Sequence, residues 1–421
     1  MIQINYNKIV IFDWGGIIES HRKGEYNVDT AIENLIKQFN PKESKNIVER
    51  YYKRSIKFGV NDTRDIKENK WFEQIKEEFN LKCTSKEFYD YYIKEFDNIE
   101  YYKDHPIVVH INTQKGKGYK IAEEHKEEWH WTMPFDIETG KSKFTFDGED
   151  YGNLTGEYLL EKMKNDPKVV TIVAGVPTNI GFTKNRRIEA GEQFVDVGIA
   201  EEHAVALASG IAKNGGKPIF ATHSSFMQRT YDQLSQDLCI NNNPATILVN
   251  TASVYGLNDV THLGLYDIPM ISNIPNMVYL APTSKEEYFA MLDWSIEQNE
   301  HPVAIRIPCN GVISDDRKVD TDYSNINKFK VEEEGEKVAI IALGDFYQLG
   351  EEVSKELKEK LNINATLINP RYITGIDKEL LEKLKENHNV VITLEDGILQ
   401  GGFGEKIASF YGDSDIKVKN Y

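Results

Sequence analysis

The chain has 421 residues, with a hydrophobic fraction of 40% and a charged fraction of 28%. These values are typical of a soluble globular protein that is long enough for about two to four domains. The net charge of -17 disfavours a nucleic-acid-binding protein, because such proteins present a basic face to phosphate groups. The cysteines Cys83, Cys239 and Cys309 are widely spaced and form no CxxC pair, which predicts a reducing compartment and no structural zinc. With no signal-peptide pattern and no apolar run of about 20 residues, we expect a cytoplasmic protein that does not enter a membrane.

The first strand is predicted at residues 8–12, a β-branched run that ends at Asp13 and a Gly-rich turn. This stretch resembles the first motif of the haloacid-dehalogenase hydrolases, in which the aspartate is the phosphoryl-accepting nucleophile. The carboxylate expected two residues later is Gly15 in this chain. Residues 28–100 have apolar residues at helical spacing and resemble the helical cap of that family. We therefore expect residues 1–104 to form a partial dehalogenase-like segment and not an active phosphatase.

Residues 105–157 begin with a predicted strand at 105–111 and continue with a basic, Gly-containing loop. Lys115 and Lys117 lie in this loop, and His130 follows between two tryptophans. The remainder, from about residue 137, is polar and is predicted to link two domains.

The second domain is predicted at residues 158–309, where apolar strands alternate with helices. This spacing favours a mostly parallel sheet with both faces covered. The strand at 194–197 runs through Gly198 into a helix whose first turn carries Glu201 and Glu202. A carboxylate at such a junction lies where ligands bind in α/β domains, although a glutamate there also complements the helix dipole.

A linker is predicted at residues 310–327, followed by a third domain at 328–421. Strands are predicted at 337–343, 365–368 and 389–394, with a helix at 348–360. The glycines at 401, 402 and 404 are interpreted as a tight turn and not as a nucleotide-binding loop.

Three ordered stretches, 194–205, 217–233 and 246–264, together resemble the pyrimidine-binding domain of the transketolase family of thiamine-diphosphate enzymes. Within that family the pattern is most similar to the 1-deoxy-D-xylulose-5-phosphate synthases. Residues 328–421 resemble a truncated transketolase C-terminal domain, and residues 105–136 resemble the tail of the synthases' first domain. The resemblance therefore implies an α/β protein with two transketolase domains, preceded by the partial dehalogenase-like segment.

The resemblance also implies roles for individual side chains. Glu201 would hydrogen bond a ring nitrogen of the cofactor, which needs a carboxylate in a low-dielectric pocket. Phe226 would stack on the pyrimidine, with Arg229 one helical turn later. His262 and His130 would bind or protonate substrate oxygens.

Further residues would contact the substrate. Arg306 matches an acceptor-phosphate contact, while His223 and Asn258 lie in the substrate region. Three positions depart from the synthases: a tyrosine is replaced by His223, an arginine by Thr251 and an aspartate by Asn258, although Asp259 is adjacent. Because of these departures, the prediction of a phosphorylated acceptor is weaker than the prediction that the cofactor is thiamine diphosphate.

The diphosphate half of the family site is missing. Mg²⁺ that bridges phosphates needs oxygen ligands, which the family supplies through a Gly-Asp-Gly motif and a later asparagine. No Gly-Asp-Gly occurs in this chain, so no metal ligands are predicted in it. We expect thiamine diphosphate and Mg²⁺ to bind only if a partner chain supplies that site, within a homodimer or a hetero-oligomer.

The resemblance implies transfer of a two-carbon unit from pyruvate to an aldehyde such as glyceraldehyde 3-phosphate. Two alternatives are an inactive partial relative and a Mg²⁺-dependent phosphatase that uses Asp13. A β-chain of a 2-oxoacid dehydrogenase shares the two C-terminal domains. The Lys-Gly-Lys-Gly-Tyr loop at 115–119 and the Trp-His tail at 129–130 favour the synthase instead.

Overall fold

The computed structural model describes residues 28–56, 70–97, 114–130, 132–144, 148–254, 261–309 and 311–421. The chain divides into two compact units, Met1–Lys143 and Phe144–Tyr421. Three features predicted from the sequence, the strands at 8–12 and 105–111 and the nucleophile candidate Asp13, lie outside the described residues.

The described part of the first unit is helical. Apolar residues from its first four helices share one core, in which Leu35, Ile36, Ile75, Phe79 and Phe88 are almost fully buried. The helical spacing expected around residues 35–39 and 71–79 is therefore present, while the resemblance of these helices to a dehalogenase cap stays a prediction. The helices are α1 (Val28–Phe39), α2 (Ile47–Ile56), α3 (Lys70–Phe79), α4 (Ser85–Asp97) and the short α5 (Lys120–Glu124).

The second unit begins with a six-stranded sheet, in which all paired strands are parallel. The strand order is β2-β1-β3-β4-β6-β5, which confirms the predicted parallel sheet. Its strands are β1 (Val169–Val173), β2 (Phe194–Asp196), β3 (Lys217–His223), β4 (Thr246–Ala252), β5 (Val278–Leu280) and β6 (Val303–Pro308). The associated helices are α6 (Tyr151–Asn165), α7 (Lys184–Ala190), α8 (Glu201–Lys213), α9 (Tyr231–Gln233), α10 (Asp267–Ile271) and α11 (Lys285–Glu297).

Helices cover both faces of this sheet because successive strand residues point to opposite sides. Phe220 packs in the same core as Ala204 and Ala208 of α8. Its neighbour Ile219 packs in the other core, with Leu159 of α6. Small side chains on α8 allow the helix backbone to approach the strands closely. The sheet is thus buried on both faces, as parallel sheets require.

The second sheet has the order β11-β10-β8-β9-β7, and only its edge strand β7 is antiparallel. The strands predicted at 337–343, 365–368 and 389–394 are confirmed, whereas β7 and β11 were not predicted. The strands are β7 (Lys330–Glu333), β8 (Lys337–Ala342), β9 (Thr366–Asn369), β10 (His388–Leu394) and β11 (Lys417–Asn420). The helices are α12 (Tyr347–Leu361), α13 (Lys378–Leu384) and α14 (Phe403–Phe410). No helix in the described ranges is long and apolar enough to cross a bilayer.

Glu287 joins the two sheets through a buried hydrogen-bond cluster. Its Oε2 accepts hydrogen bonds from the backbone N–H and the hydroxyl of Thr283, both at 2.8 Å. Its Oε1 accepts from Nδ2 of Asn369 at 3.0 Å, at the end of β9. Burial raises the pKa of the Glu287 carboxyl, although these donors stabilise the ionised form.

We expect Glu287→Ala to lower the free energy of unfolding by about 2–4 kcal/mol, because it leaves the buried donors of Thr283 and Asn369 unsatisfied. Denaturant unfolding measures this difference. The matched control is Glu356→Ala on the exposed surface of α12, which should change stability by less than about 0.5 kcal/mol. Equal effects of the two variants would contradict a structural role for Glu287.

Candidate functional site

Glu201 is buried where the sheet passes into α8. The Asp196 side chain, at the end of β2, accepts hydrogen bonds from the backbone N–H groups of Gly175 and Gly198, each at 2.9 Å. Gly198 has a φ of 71°, a left-handed conformation that favours glycine, and the turn leads directly into α8. Within the first turn of α8, Glu201 is only 1% exposed, whereas Glu202 is exposed. Of these two adjacent carboxylates, the fold therefore buries that of Glu201 and leaves that of Glu202 exposed.

Arg229 is an ion-pair partner of Glu201. Its Nη1 donates to Oε2 of Glu201 at 3.1 Å, and its side chain is 47% exposed. Arg229 belongs to the 3-10 helix Ser224–Thr230, which directly follows β3. The ion pair thus connects the first turn of α8 with the segment after the neighbouring strand.

His223, Phe226 and His262 form a half-buried aromatic cluster close to this ion pair. The ring centroids of His223 and Phe226 lie 5.1 Å apart, those of Phe226 and His262 5.2 Å apart, and those of the two histidines 5.9 Å apart. The guanidinium carbon of Arg229 lies 6.0 Å from the Phe226 ring centroid. The structure therefore brings together five of the predicted site residues: Glu201, His223, Phe226, Arg229 and His262.

Thr251 contacts the His223 ring. Its hydroxyl contacts Nδ1 of His223, and its φ of 53° is unusual for a β-branched residue. Position 264 requires glycine, because a Cβ there would lie 2.1 Å from the carbonyl oxygen of Thr251. No role was predicted for Gly264 from the sequence, because the close approach to Thr251 joins positions 13 residues apart and only the folded chain shows it.

The pKa of His223 is lowered to about 4, first by burial and second by the charge that His262 can carry. His223 is therefore neutral at pH 7, with one ring nitrogen as a donor and the other as an acceptor. A neutral imidazole can orient an oxygen atom, but it supplies no positive charge to a phosphate group.

Arg306, a predicted phosphate contact, lies in a buried network of charges. Its Nε donates to Oδ2 of Asp267 at 2.7 Å, and its Nη1 contacts Oδ1 of Asp396. The hydroxyl of Tyr279 also donates to Oδ2 of Asp267, at 2.5 Å. The guanidinium is thus engaged by two carboxylates of the chain itself, and its role toward substrate stays a prediction. Sequence spacing could not reveal this network, because Asp267 and Asp396 lie 39 and 90 positions from Arg306.

Two predicted site residues are not part of the described cluster. His130 belongs to the first unit, where it is exposed and its Nδ1 contacts Nζ of Lys115. Asn258 lies outside the described residues. The roles assigned to both from the resemblance stay predictions.

The cluster has the chemistry of a site for a flat heteroaromatic ring. A buried carboxylate can hydrogen bond a ring nitrogen, and Phe226 offers an aromatic surface for stacking. Three side chains placed to hold a metal ion, drawn from His, Cys, Asp and Glu, are not found among the described residues. The arrangement fits the pyrimidine end of thiamine diphosphate.

Comparison with known protein families agrees with this geometry. Residues 148–311 match the transketolase pyrimidine binding domain, and residues 327–420 match the transketolase C-terminal domain. The chain carries two transketolase domains. The resemblance to the transketolase family and the predicted fold class are thereby confirmed, and enzymes of this family depend on thiamine diphosphate. The first of these two matches begins at residue 148. The dehalogenase resemblance of residues 1–104 therefore stays a prediction.

Individual relatives are similar to the transketolase part of the chain. A 1-deoxy-D-xylulose-5-phosphate synthase of Clostridium perfringens (strain SM101) is 40% identical over 309 residues, covering 73% of this chain and 49% of the relative. The synthase of Alkaliphilus oremlandii is 38% identical over 312 residues, covering 74% of this chain and 49% of the relative. The chain therefore spans about half the length of these curated relatives.

A solved structure shares the fold. A protein described as a split gene transketolase, inactive beta4 tetramer, superposes with a TM-score of 0.54 and 24% sequence identity. The match covers 64% of this chain and 86% of that chain.

We expect the stability of the second unit to fall as the pH decreases from about 6.5 to 4. In this window the unfolded chain protonates His223, whereas the folded chain, with its lowered pKa, does not. The loss in the free energy of unfolding caused by His223 should reach about 2–3 kcal/mol near pH 4. His223→Gln should remove this part of the pH dependence, as measured by denaturant unfolding at several pH values. The control His203→Gln, at an exposed position of α8, should keep the wild-type profile; identical profiles for both variants would contradict the assignment.

We expect Arg306→Leu to destabilise the protein by about 3–5 kcal/mol, because it leaves Asp267 and Asp396 as uncompensated buried charges. A variant that also carries Asp267→Leu and Asp396→Leu should recover most of the loss. Thermal and denaturant unfolding of both variants check this. A single variant as stable as the wild type would show that the ion pairs contribute little.

Proposed function

We propose that this chain is the pyrimidine-binding part of a thiamine-diphosphate-dependent transferase of the 1-deoxy-D-xylulose-5-phosphate synthase type. It would take part in transfer of a two-carbon unit from pyruvate to an aldehyde, and the resemblance implies glyceraldehyde 3-phosphate as the acceptor. The observation that carries the proposal is the buried Glu201 carboxylate beside the aromatic cluster at one end of a parallel sheet.

Glu201 and Arg229 would bind the cofactor ring at one edge. When bound, thiamine diphosphate would supply the nucleophilic carbon that the transfer of a two-carbon unit requires. The burial of Glu201 strengthens a hydrogen bond to a ring nitrogen, because little water competes for the carboxylate. Arg229 restrains the same carboxylate through Oε2 and lies within reach of the Phe226 ring.

The two histidines of the cluster would bind substrate oxygens. His262 is oriented by the hydroxyl of Thr261, which lies 2.7 Å from its Nδ1. The ring nitrogens of His262 could hydrogen bond a substrate hydroxyl group and act on its proton as a general acid or base. The neutral His223 would orient an oxygen by hydrogen bonding alone.

A second chain would complete the site. Mg²⁺ and the diphosphate require oxygen ligands that the Gly-Asp-Gly motif provides in the family, and this sequence contains no such motif. The chain also spans about half of its synthase relatives, and the solved neighbour is by name a split gene transketolase. These facts support a hetero-oligomer in which the partner holds the diphosphate and Mg²⁺.

Calorimetric titration with thiamine diphosphate and Mg²⁺ tests the proposal. We expect no binding by the purified chain and micromolar binding after addition of a chain that carries the Gly-Asp-Gly domain, for which the unmatched half of the Clostridium perfringens synthase is a first candidate. Tight binding by the chain alone would overturn the requirement for a partner. No binding after addition of the Gly-Asp-Gly domain would favour an inactive relative.

Glu201→Gln in the completed enzyme should lower turnover of pyruvate by at least about 100-fold, because the amide cannot share a proton with the ring nitrogen. The adjacent Glu202→Gln is the matched control, since Glu202 is exposed on the same helical turn. Equal activity of the two variants would remove Glu201 from the catalytic site.

A further inference from the structure

Thr251 reaches His223 from a position that a regular sheet would not allow. The strands β3 and β4 are parallel neighbours, and the Cα partner of His223 is Asn250. Because successive side chains of a strand alternate between the two faces of a sheet, a regular β4 would place Asn250, and not Thr251, beside the His223 side chain. The Thr251 hydroxyl nevertheless contacts Nδ1 of His223. The backbone at Thr251 must therefore depart from a regular strand.

The departure is a left-handed backbone conformation at the end of β4. Thr251 has a φ of 53° and Ser253 a φ of 96°, and the pairing of β4 with β6 shifts its register between Val249 and Ala252. A left-handed conformation costs a non-glycine residue about 1–3 kcal/mol, so it persists only where the surrounding structure enforces it. Strained residues of this kind are concentrated at active sites and ligand-binding sites.

Gly264 packs directly against this strained backbone. A Cβ at position 264 would lie 2.1 Å from the carbonyl oxygen of Thr251 and 2.9 Å from Cα of Ala252. The carbonyl oxygen of Gly264 also accepts a hydrogen bond from the backbone N–H of Ser253 at 2.9 Å. The segment that follows His262 therefore closes onto the end of β4 and holds Thr251 in the orientation that reaches His223.

The contact determines which ring nitrogen of His223 carries the proton. The ring is neutral at pH 7 because burial lowers its pKa to about 4, so one nitrogen donates a hydrogen bond and the other accepts. An unprotonated imidazole nitrogen is a stronger acceptor than a hydroxyl oxygen. The Thr251 hydroxyl therefore donates to Nδ1, and the proton of the ring lies on Nε2. Nε2 lies on the side of the ring away from Thr251 and has no hydrogen-bond partner among the residues that the structure describes.

We propose that Thr251 is a positioning residue that holds His223 in the tautomer with its proton on Nε2, so that the ring donates a hydrogen bond to a substrate oxygen. The oxygen that accepts carries no proton, as in the carbonyl and carboxylate groups of a 2-oxoacid. This second part rests on the proposed function, whereas the tautomer is a property of the chain alone. The pair is particular to this chain, because the resemblance places a tyrosine and an arginine of the synthases at positions 223 and 251.

Nuclear magnetic resonance of the full chain with ¹⁵N-labelled histidine tests the tautomer without substrate or partner. The ¹⁵N shifts of a neutral imidazole differ strongly between its protonated and unprotonated nitrogens, so one spectrum at pH 7 gives the position of the proton. His223→Gln identifies the His223 signals by their loss. We expect Nε2 to be protonated and Nδ1 to be unprotonated. A proton on Nδ1, or averaged shifts that show a mixture of tautomers, would overturn the proposal.

Substitutions at position 251 test whether Thr251 sets this tautomer. Thr251→Val keeps the branched shape but removes the hydroxyl, so we expect the two ¹⁵N shifts of His223 to move toward each other as both tautomers become populated. Thr251→Ser keeps the hydroxyl and should keep the wild-type pattern. The matched control Thr261→Val removes the hydroxyl that contacts His262 and should leave the proton of His223 on Nε2. A folded Thr251→Val protein with the wild-type pattern would refute the role of Thr251; if that variant does not fold, Thr251→Ala supplies the same comparison.

Kinetics of the completed enzyme test the substrate part separately. Thr251→Val should raise KM for pyruvate about two- to fivefold, because only the fraction of rings with the proton on Nε2 can donate to the substrate. The effect on kcat should be smaller, since the hydrogen bond serves binding, and Thr251→Ser should keep the wild-type KM. An unchanged KM in a variant with mixed tautomers would overturn the contact with substrate. A chain that shows the expected tautomer but binds no cofactor with the added domain would overturn the proposed function and leave the role of Thr251 toward His223 intact.

Discussion

The candidate site depends on the burial of one carboxylate, that of Glu201. Moving a charge out of water is costly, so such a group persists only where the fold compensates it. Here the compensation is partial, because Arg229 contacts one carboxylate oxygen and is itself half exposed. A side chain held in this way has strong interactions to offer a ligand, since the surrounding protein screens it little. Burial of Glu201 is therefore the feature that makes the start of α8 a candidate binding site and not just a helix terminus.

Arg306 shows the opposite arrangement. Its guanidinium is buried to the same degree, but carboxylates from two separate parts of the second unit surround it, Asp267 from α10 and Asp396 from the segment after β10. Breaking this network to bind a substrate would leave two buried negative charges. The backbone N–H of Val254, which follows β4, also donates a hydrogen bond to the carbonyl oxygen of Asp396. The network thus positions the segments around His262 more directly than it presents a cation to a ligand.

The sequence predicted the central strands well because buried parallel strands have continuous apolar stretches, such as residues 218–221 in β3 and 247–249 in β4. It missed β7 and β11 because edge strands with alternating charged residues, such as Lys417–Asn420, have little apolar signal. Helical phase could have identified the buried glutamate: Glu201 shares a face with the buried Ala204, Val205 and Ala208, whereas Glu202 does not. The partners of Arg306 are distant in sequence, and only the folded chain brings them together.

The residues proposed to contact substrate present little positive charge to it. His223, which the resemblance places where the synthases have a tyrosine, adds no positive charge, because burial lowers its pKa and keeps the imidazole neutral at pH 7. The resemblance places Thr251 where the synthases have an arginine, and the Thr251 hydroxyl contacts Nδ1 of His223. Arg306 has the required charge, but Asp267 and Asp396 neutralise it. If these residues meet the substrate as the resemblance implies, hydrogen bonding would contribute more to its recognition than positive charge would.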